Sequence, residues 1–97
     1  MNVSKTQDGN SVTLLVQGRV DTMTAPQLES EIQALEGAES LTIDLKDLEY
    51  ISSAGLRVLL SAHKAYSKKG GLTIANPNDS VMEIFEVTGF KEILNIK

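Results

Sequence analysis

Alternating hydrophobic and polar residues mark the strands of this chain. In residues 11–17 and 40–46 every second side chain is apolar, which is typical of a strand with one buried face. Residues 2–6 precede the turn sequence QDGN at residues 7–10, and these features predict a β-hairpin with residues 11–17. The segment LTIA at residues 72–75 predicts a further short strand.

Apolar residues at helical spacing predict the first helix, which we expect to begin after Thr24. Thr24 and Gln27 stand at the spacing of a capping box, and Gly37 indicates the end of the helix. The residues on the apolar face of this helix are Ala25, Leu28, Ile32 and Leu35.

Two further helices are predicted in the second half of the chain. The second begins after the sequence SSAG at residues 52–55 and ends near Lys69, before a pair of glycines. The third runs through Val81 and Thr88 and ends at Gly89. The last five residues, ILNIK, fit either a short strand or a final helical turn.

The order of these elements predicts an α/β fold. Strands joined through helices run parallel, so the expected architecture is a mixed sheet of four to five strands with an N-terminal β-hairpin. Strands covered by helices on both faces are continuously apolar, but these strands alternate, so we expect the helices mainly on one face. The residues expected on the barer face are Thr13, Gln17, Thr42, Asp44 and Thr73.

The composition narrows the class of protein. A chain of 97 residues forms one domain, 1–97, and its net charge of −4 lacks the basic footprint of a nucleic-acid-binding protein. There is no Cys and only one His, which excludes disulfides and most zinc sites. No apolar run is long enough for a membrane span and the polar start is no signal peptide, so we expect a cytoplasmic protein without membrane contact.

Candidates for enzymatic chemistry are weak. Ser53 and His63 would stand ten residues apart on one helix, about 15 Å, which is too far for a nucleophile and its base. His63 falls within the apolar arc of that helix and is expected to be packed and hydrogen-bonded. Asp21, Asp44 and Asp47 could gather at strand ends as a metal site, but no motif supports it. We therefore expect no enzyme, no cofactor and no metal.

The sequence SSAG leaves a strand and enters the long helix. Ser is a preferred N-cap, so Ser52 or Ser53 could simply cap the helix. A phosphate on a hydroxyl at this position would add a charge of about −1.5 to −2 and change any surface centred there. Gly55 is expected to keep that surface low enough for another protein to approach. These two interpretations, a cap and a phosphorylation switch, remain open at this point.

Three stretches resemble the STAS domain family, and most closely its stand-alone anti-sigma factor antagonists of bacteria. They are QGRVDTMTAPQL at residues 17–28, LTIDLKDLEYISSAGLRVLL at residues 41–60 and VTGF at residues 87–90. Their order and spacing agree with the family over nearly the whole chain. The resemblance implies a non-enzymatic switch protein that binds an anti-sigma factor, itself a serine kinase, and so releases a sigma factor.

The resemblance also implies roles for individual residues. Ser53 corresponds to the residue that the kinase phosphorylates to break the complex, and a PP2C-type phosphatase resets it. Ser52, which stands where many members have Asp, is the alternative phosphoacceptor, and Asp21 corresponds to a loop Asp that helps to bind the partner. The expected partner-binding residues are Asp21, Thr22, Ser52, Ser53, Ala54, Gly55, Leu56 and Arg57.

Two points stay open at the level of the sequence. The domain could instead be a constitutive STAS scaffold, in a lipid-transport or stressosome-like complex, in which Ser53 is only a cap. The oligomeric state is expected to be a monomer or a weak dimer.

Overall fold

The first two strands form the predicted hairpin. In the computed structural model, which describes all 97 residues, β1 (Asn2–Asp8) and β2 (Ser11–Val20) pair in antiparallel register. The remaining strands are β3 (Ser40–Asp44), β4 (Leu48–Ile51), β5 (Gly71–Ala75) and β6 (Asn95–Ile96), and each of them pairs in parallel.

The sheet contains six strands rather than the four to five expected. Its order is β1-β2-β3-β5-β6, and β4 pairs with the end of β2. The two-residue strand β6 lies in the last five residues, where a short strand was one of the two interpretations. The unexpected strand is β4, whose four residues are too few for alternation to be visible in the sequence.

The helices cover one face of the sheet, as the alternation predicted. On the helix-facing side of β2, β3 and β5, Leu14, Ile43 and Ile74 are at most 1% exposed. The five residues expected on the barer face are all half-buried, and Thr13, Thr42 and Thr73 stand side by side in register across three strands. The buried residues are all hydrophobic, with Tyr66 the one that carries a hydroxyl, and no charged residue is buried.

Three helices complete the fold: α1 (Ala25–Gln33), α2 (Ser53–Tyr66) and α3 (Asp79–Thr88). A 3₁₀ turn at residues 90–92 precedes β6, so the last five residues contain the short strand, and the helical turn lies just before them. None of the helices is long and apolar enough to cross a membrane.

Helix α1 begins after Thr24, as predicted, but the expected capping box is absent. The hydroxyl of Thr24 makes no capping bond to the helix, so the proposed box with Gln27 is wrong. Instead, the carboxylate of Asp21 accepts hydrogen bonds from the N–H groups of Met23 and Thr24, while the N–H of Asp21 donates to the Thr24 hydroxyl. This reciprocal pair is the capping-box arrangement moved three residues toward the N-terminus, where it caps the turn that leads into the helix.

His63 also departs from expectation. It is half-buried on α2, and its buried Nδ1 has no hydrogen-bond partner, so the prediction of a hydrogen-bonded histidine is wrong. His63 lies ten residues along α2 from Ser53 and takes no part in the site described below.

Candidate functional site

Two neighbouring parallel strands, β2 and β4, end side by side and bring the candidate residues together. Val20, the last residue of β2, is in register with Ile51, the last residue of β4. The N–H of Ser52 then donates to the carbonyl of Val20 over 2.8 Å. The loop that begins at Asp21 and the start of α2 therefore lie next to each other at the carboxyl ends of these strands. Ligand sites of α/β folds commonly occur at this end of the sheet.

Ser52 and Ser53 have different roles at the start of α2. Ser52 is the N-cap, with extended backbone, and its half-buried hydroxyl accepts from the N–H of Gly55 over 3.4 Å. Ser53 is the first residue of the helix, and it is exposed. The cap and the exposed hydroxyl are thus separate residues, and capping by Ser52 leaves Ser53 without a structural task.

Gly55 and Leu56 lie beneath this surface rather than on it. Both are buried, and Leu56 is only 5% exposed. A Cβ added to Gly55 would stand 2.6 Å from Cγ1 of Ile51 and 2.7 Å from Cγ1 of Val20. The absence of a side chain at position 55 therefore brings the first turn of α2 onto the strand ends, instead of keeping the surface low as expected from the sequence.

Asp21 is the most hydrogen-bonded side chain of the site. Its pKa is held below the ordinary value of 3.8, chiefly because the N–H of Thr24 donates to the carboxylate. The N–H of Met23, the Thr24 hydroxyl and the charge of Arg19 lower the pKa further, and partial desolvation opposes them. The carboxylate thus shapes the loop that carries the exposed residues Thr22 and Met23.

This shift makes a prediction for Asp21→Asn, which removes the charge but keeps an oxygen able to accept both N–H groups. Because the pKa is lower in the folded protein, ionised Asp21 stabilises the fold above about pH 4, and this contribution is lost as the pH falls through the folded pKa. We expect urea unfolding to give a lower free energy for the variant at about pH 6, with the two proteins converging as the pH falls through the folded pKa of Asp21. A difference between them that stays constant over this range would contradict the prediction.

A groove between α1 and α2 opens beside Ser53. It has a volume of about 300 Å³, and its lining includes the apolar residues Ala54 and Val58. Glu29 stands on the α1 side and Arg57 on the α2 side. The residues that line it are Thr22, Ala25, Pro26, Glu29, Ala54, Arg57 and Val58.

Of the eight expected partner-binding residues, six are at least partly accessible at the surface formed by the Asp21 loop and the start of α2, and two are buried beneath it. Thr22, Ser53 and Arg57 are exposed. Asp21, Ser52 and Ala54 are half-buried, whereas Gly55 and Leu56 are buried.

Sequence reasoning missed three side chains at or near this surface. Met23 is 86% exposed, although its side chain is large and apolar, and Tyr50 is 36% exposed under the guanidinium of Arg19, 4.5 Å from its ring centroid. Glu29 lies outside the apolar face by which α1 was predicted, and it lines the groove. The exposure of Met23 could have been predicted, because it is a large apolar residue in a polar loop and belongs to neither the strand nor the helix pattern of buried residues.

The three aspartates considered as a metal site do not meet. Asp21 caps its loop, the carboxylate of Asp44 accepts from the side chain of Asn76, and that of Asp47 accepts from Gln17. No group of three His, Cys, Asp or Glu side chains in the structure is arranged to hold a metal ion.

Comparison with known proteins identifies the family. The sequence model of the family described as "Mlab, STAS domain" matches residues 3–95. The chain belongs to the STAS domain family. Within it, the anti-sigma-B factor antagonist of Bacillus subtilis is 34% identical over 98 residues, which cover 99% of this chain and 90% of that protein. This STAS chain is thus a member of the anti-sigma factor antagonist family.

Solved structures agree on the fold. An anti-sigma factor antagonist from Mycobacterium paratuberculosis superposes with a TM-score of 0.88 at 24% identity, over 98% of the STAS chain and 83% of that chain. The antagonist SpoIIAA in its unphosphorylated form gives a TM-score of 0.83 at 15% identity, over 99% and 88%. The phosphorylated form of the Bacillus SpoIIAA gives 0.76 at 14% identity, over 99% and 91%. At these identities the likeness establishes the SpoIIAA-like fold.

Proposed function

We propose that this antagonist is switched by phosphorylation of Ser53. Unmodified, it binds an anti-sigma factor that is also a serine kinase, and the sigma factor is released. The kinase then transfers the terminal phosphoryl group of ATP to the Ser53 hydroxyl, which loses its proton, and ADP leaves. A PP2C-type phosphatase hydrolyses the phosphate ester and restores binding. The protein acts in the cytoplasm, as a monomer or a weak dimer, without direct contact to nucleic acid or membrane.

The observation that carries the proposal is the exposed Ser53 hydroxyl at the first residue of α2. A kinase needs an accessible hydroxyl, and Ser53 is exposed while Ser52 is half-buried and engaged as the cap. Phosphorylation there adds a charge of about −1.5 to −2 in the centre of a surface that already carries Asp21. The first turn of a helix tolerates this charge, so binding changes while the fold persists.

The relatives support both parts of the proposal, binding to an anti-sigma factor and control by phosphorylation. The Bacillus subtilis relative is named for its antagonism of an anti-sigma factor, and SpoIIAA exists in unphosphorylated and phosphorylated forms. The docking surface that we propose for the anti-sigma factor comprises Asp21, Thr22, Ser52, Ser53, Ala54 and Arg57, with Met23 as a further exposed apolar contact. Gly55 and Leu56 hold this surface in place from below.

Mapping the phosphate tests which serine accepts it. After incubation with the cognate anti-sigma kinase and ATP, we expect intact-mass measurement to find one phosphate on the wild type and none on Ser53→Ala. The matched variant is Ser52→Asn, which removes the other hydroxyl but keeps a good N-cap residue. It should be phosphorylated to the same extent as the wild type. Phosphate on Ser53→Ala but not on Ser52→Asn would move the acceptor to Ser52.

A second candidate function is a constitutive STAS scaffold in a lipid-transport or stressosome-like complex. It is favoured by the description of the matching family, which names Mlab. In that case no kinase modifies either serine, and pull-down from native cells recovers transporter or assembly subunits equally well with wild type and Ser53→Asp. Recovery of an anti-sigma factor with the wild type alone would exclude it.

A further inference from the structure

Arg57 stands one helical turn after Ser53 on the same side of α2. Both residues are exposed, and residues four apart in an α-helix are neighbours, with about 5–6 Å between their Cβ atoms. Side chains of a helix lean toward its N-terminus, so the long side chain at position 57 extends toward the first turn, where Ser53 lies. The guanidinium of Arg57 is therefore within reach of any group attached to the Ser53 oxygen.

The guanidinium of Arg57 has no partner in the unmodified protein. The single ion pair of the structure joins Lys91 to Glu86, and Arg57 makes no side-chain hydrogen bond. Glu29 lies on the opposite wall of the groove and does not approach Arg57 within ion-pair distance. The other nearby cation, Arg19, is stacked on the ring of Tyr50. Arg57 is thus the free cation closest in the helix to the candidate phosphoserine.

We propose that Arg57 pairs with the phosphate once Ser53 is modified, as a clamp within the helix. This inference rests on the proposed function, since it requires a phosphate at position 53. Guanidinium groups bind phosphate oxygens through charge-assisted hydrogen bonds. Phosphorylation then has two effects on the docking surface: it adds negative charge at Ser53 and it withdraws the cation of Arg57 from any acidic group of the partner.

The test measures the phosphate itself and needs no kinase. Phosphoserine is placed at position 53 of the full chain during its synthesis, and the second ionisation of the phosphate, ordinarily near pH 6, is followed by ³¹P NMR. A neighbouring cation favours the dianion, so the pKa of the phosphate should be about 0.3 higher in Arg57→Gln than in the wild type, roughly a twofold change in ionisation constant. Arg57→Lys keeps the charge without the fork and should fall between them.

Lys64→Gln is the matched control. It removes the same charge from an exposed position of the same helix, but eleven residues, about 16 Å, from Ser53. At about 0.1 M salt this separation exceeds the Debye length, so the phosphate should titrate as in the wild type. Arg57→Gln titrating like the wild type, or Lys64→Gln shifting it equally, would overturn the clamp.

The outcome is separable from that of the proposed function. The titration reports the pair whether or not phosphorylation governs partner binding. Binding of the phosphoserine protein to the anti-sigma factor, compared with that of the unmodified protein, tests the switch on its own. A shifted phosphate pKa with unchanged partner binding would support the clamp and refute the switch, and the reverse combination would do the opposite.

Discussion

Ser53→Asp is expected to weaken binding to the cognate anti-sigma factor by at least about tenfold, equivalent to about 1.4 kcal/mol. The exposed hydroxyl of Ser53 is a neutral group in the proposed docking surface. A carboxylate at that position must be stripped of water when a partner docks, and this desolvation can cost more than pairing with Arg57 returns. The measurement is a dissociation constant by isothermal titration calorimetry, with wild type and variant under identical salt conditions.

Two variants separate charge from size in that experiment. Ser53→Asn has nearly the shape of Ser53→Asp without its charge, and Ser53→Ala removes the hydroxyl. If charge is the switch, both bind within about threefold of the wild type, because neither leaves a charge to be desolvated. Equal weakening by the Asn and Asp variants would mean that the surface rejects size, and the phosphorylation switch would lose its physical basis.

The fold itself should tolerate the aspartate. An acidic residue in the first turn of a helix interacts favourably with the helix dipole, so Ser53→Asp should melt at the wild-type temperature or slightly above it. A melting temperature several degrees lower would instead attribute the lost binding to unfolding.

The architecture could be predicted because its strands alternate. Residues such as Val12, Leu14 and Val16 face the helices, while their neighbours Thr13 and Gln17 do not, and this local pattern already states which face is covered. The separation of the two faces is a property of single strands, so it is visible before any tertiary contact is known.

The arrangement of the site depended on contacts between distant segments. The pairing of β2 with β4 brings Asp21 next to Ser52. Nothing in the sequence of either strand indicates that it pairs with the other. The cap at Asp21 was missed because two overlapping pairs of residues, Asp21 with Thr24 and Thr24 with Gln27, have capping-box spacing. Backbone geometry around the turn decided between them.

The role of Gly55 also depends on contacts between distant segments, which the sequence does not show. A glycine after a strand favours a close approach of backbones, and the sequence does not say whether the approaching group is a partner protein or the core of the domain itself. The neighbours in the structure are Val20 and Ile51, at 1% and 2% exposure, so the close contact lies inside the domain.

Gly55→Ala should therefore destabilise the protein by about 1–3 kcal/mol, the usual cost of overpacking a core. The added methyl would stand 2.6 Å from Cγ1 of Ile51 and 2.7 Å from Cγ1 of Val20, closer than real carbon atoms approach. Both neighbours are buried and β-branched, and such side chains are stiff at χ1, so they cannot turn away. Urea unfolding monitored by circular dichroism measures the loss as a lower midpoint with an unchanged slope.

Ser61→Ala is the matched control, because it places a methyl side chain at an exposed position of the same helix. Its free energy of unfolding should stay within about 0.5 kcal/mol of the wild type. In Gly55→Ala the first turn of α2 must lift from the strand ends, which displaces Ser53 relative to the Asp21 loop, so anti-sigma factor binding should weaken even where the variant is fully folded. Wild-type stability and binding in Gly55→Ala would mean that the helix start moves freely, and that close packing at position 55 does not set the geometry of the docking surface.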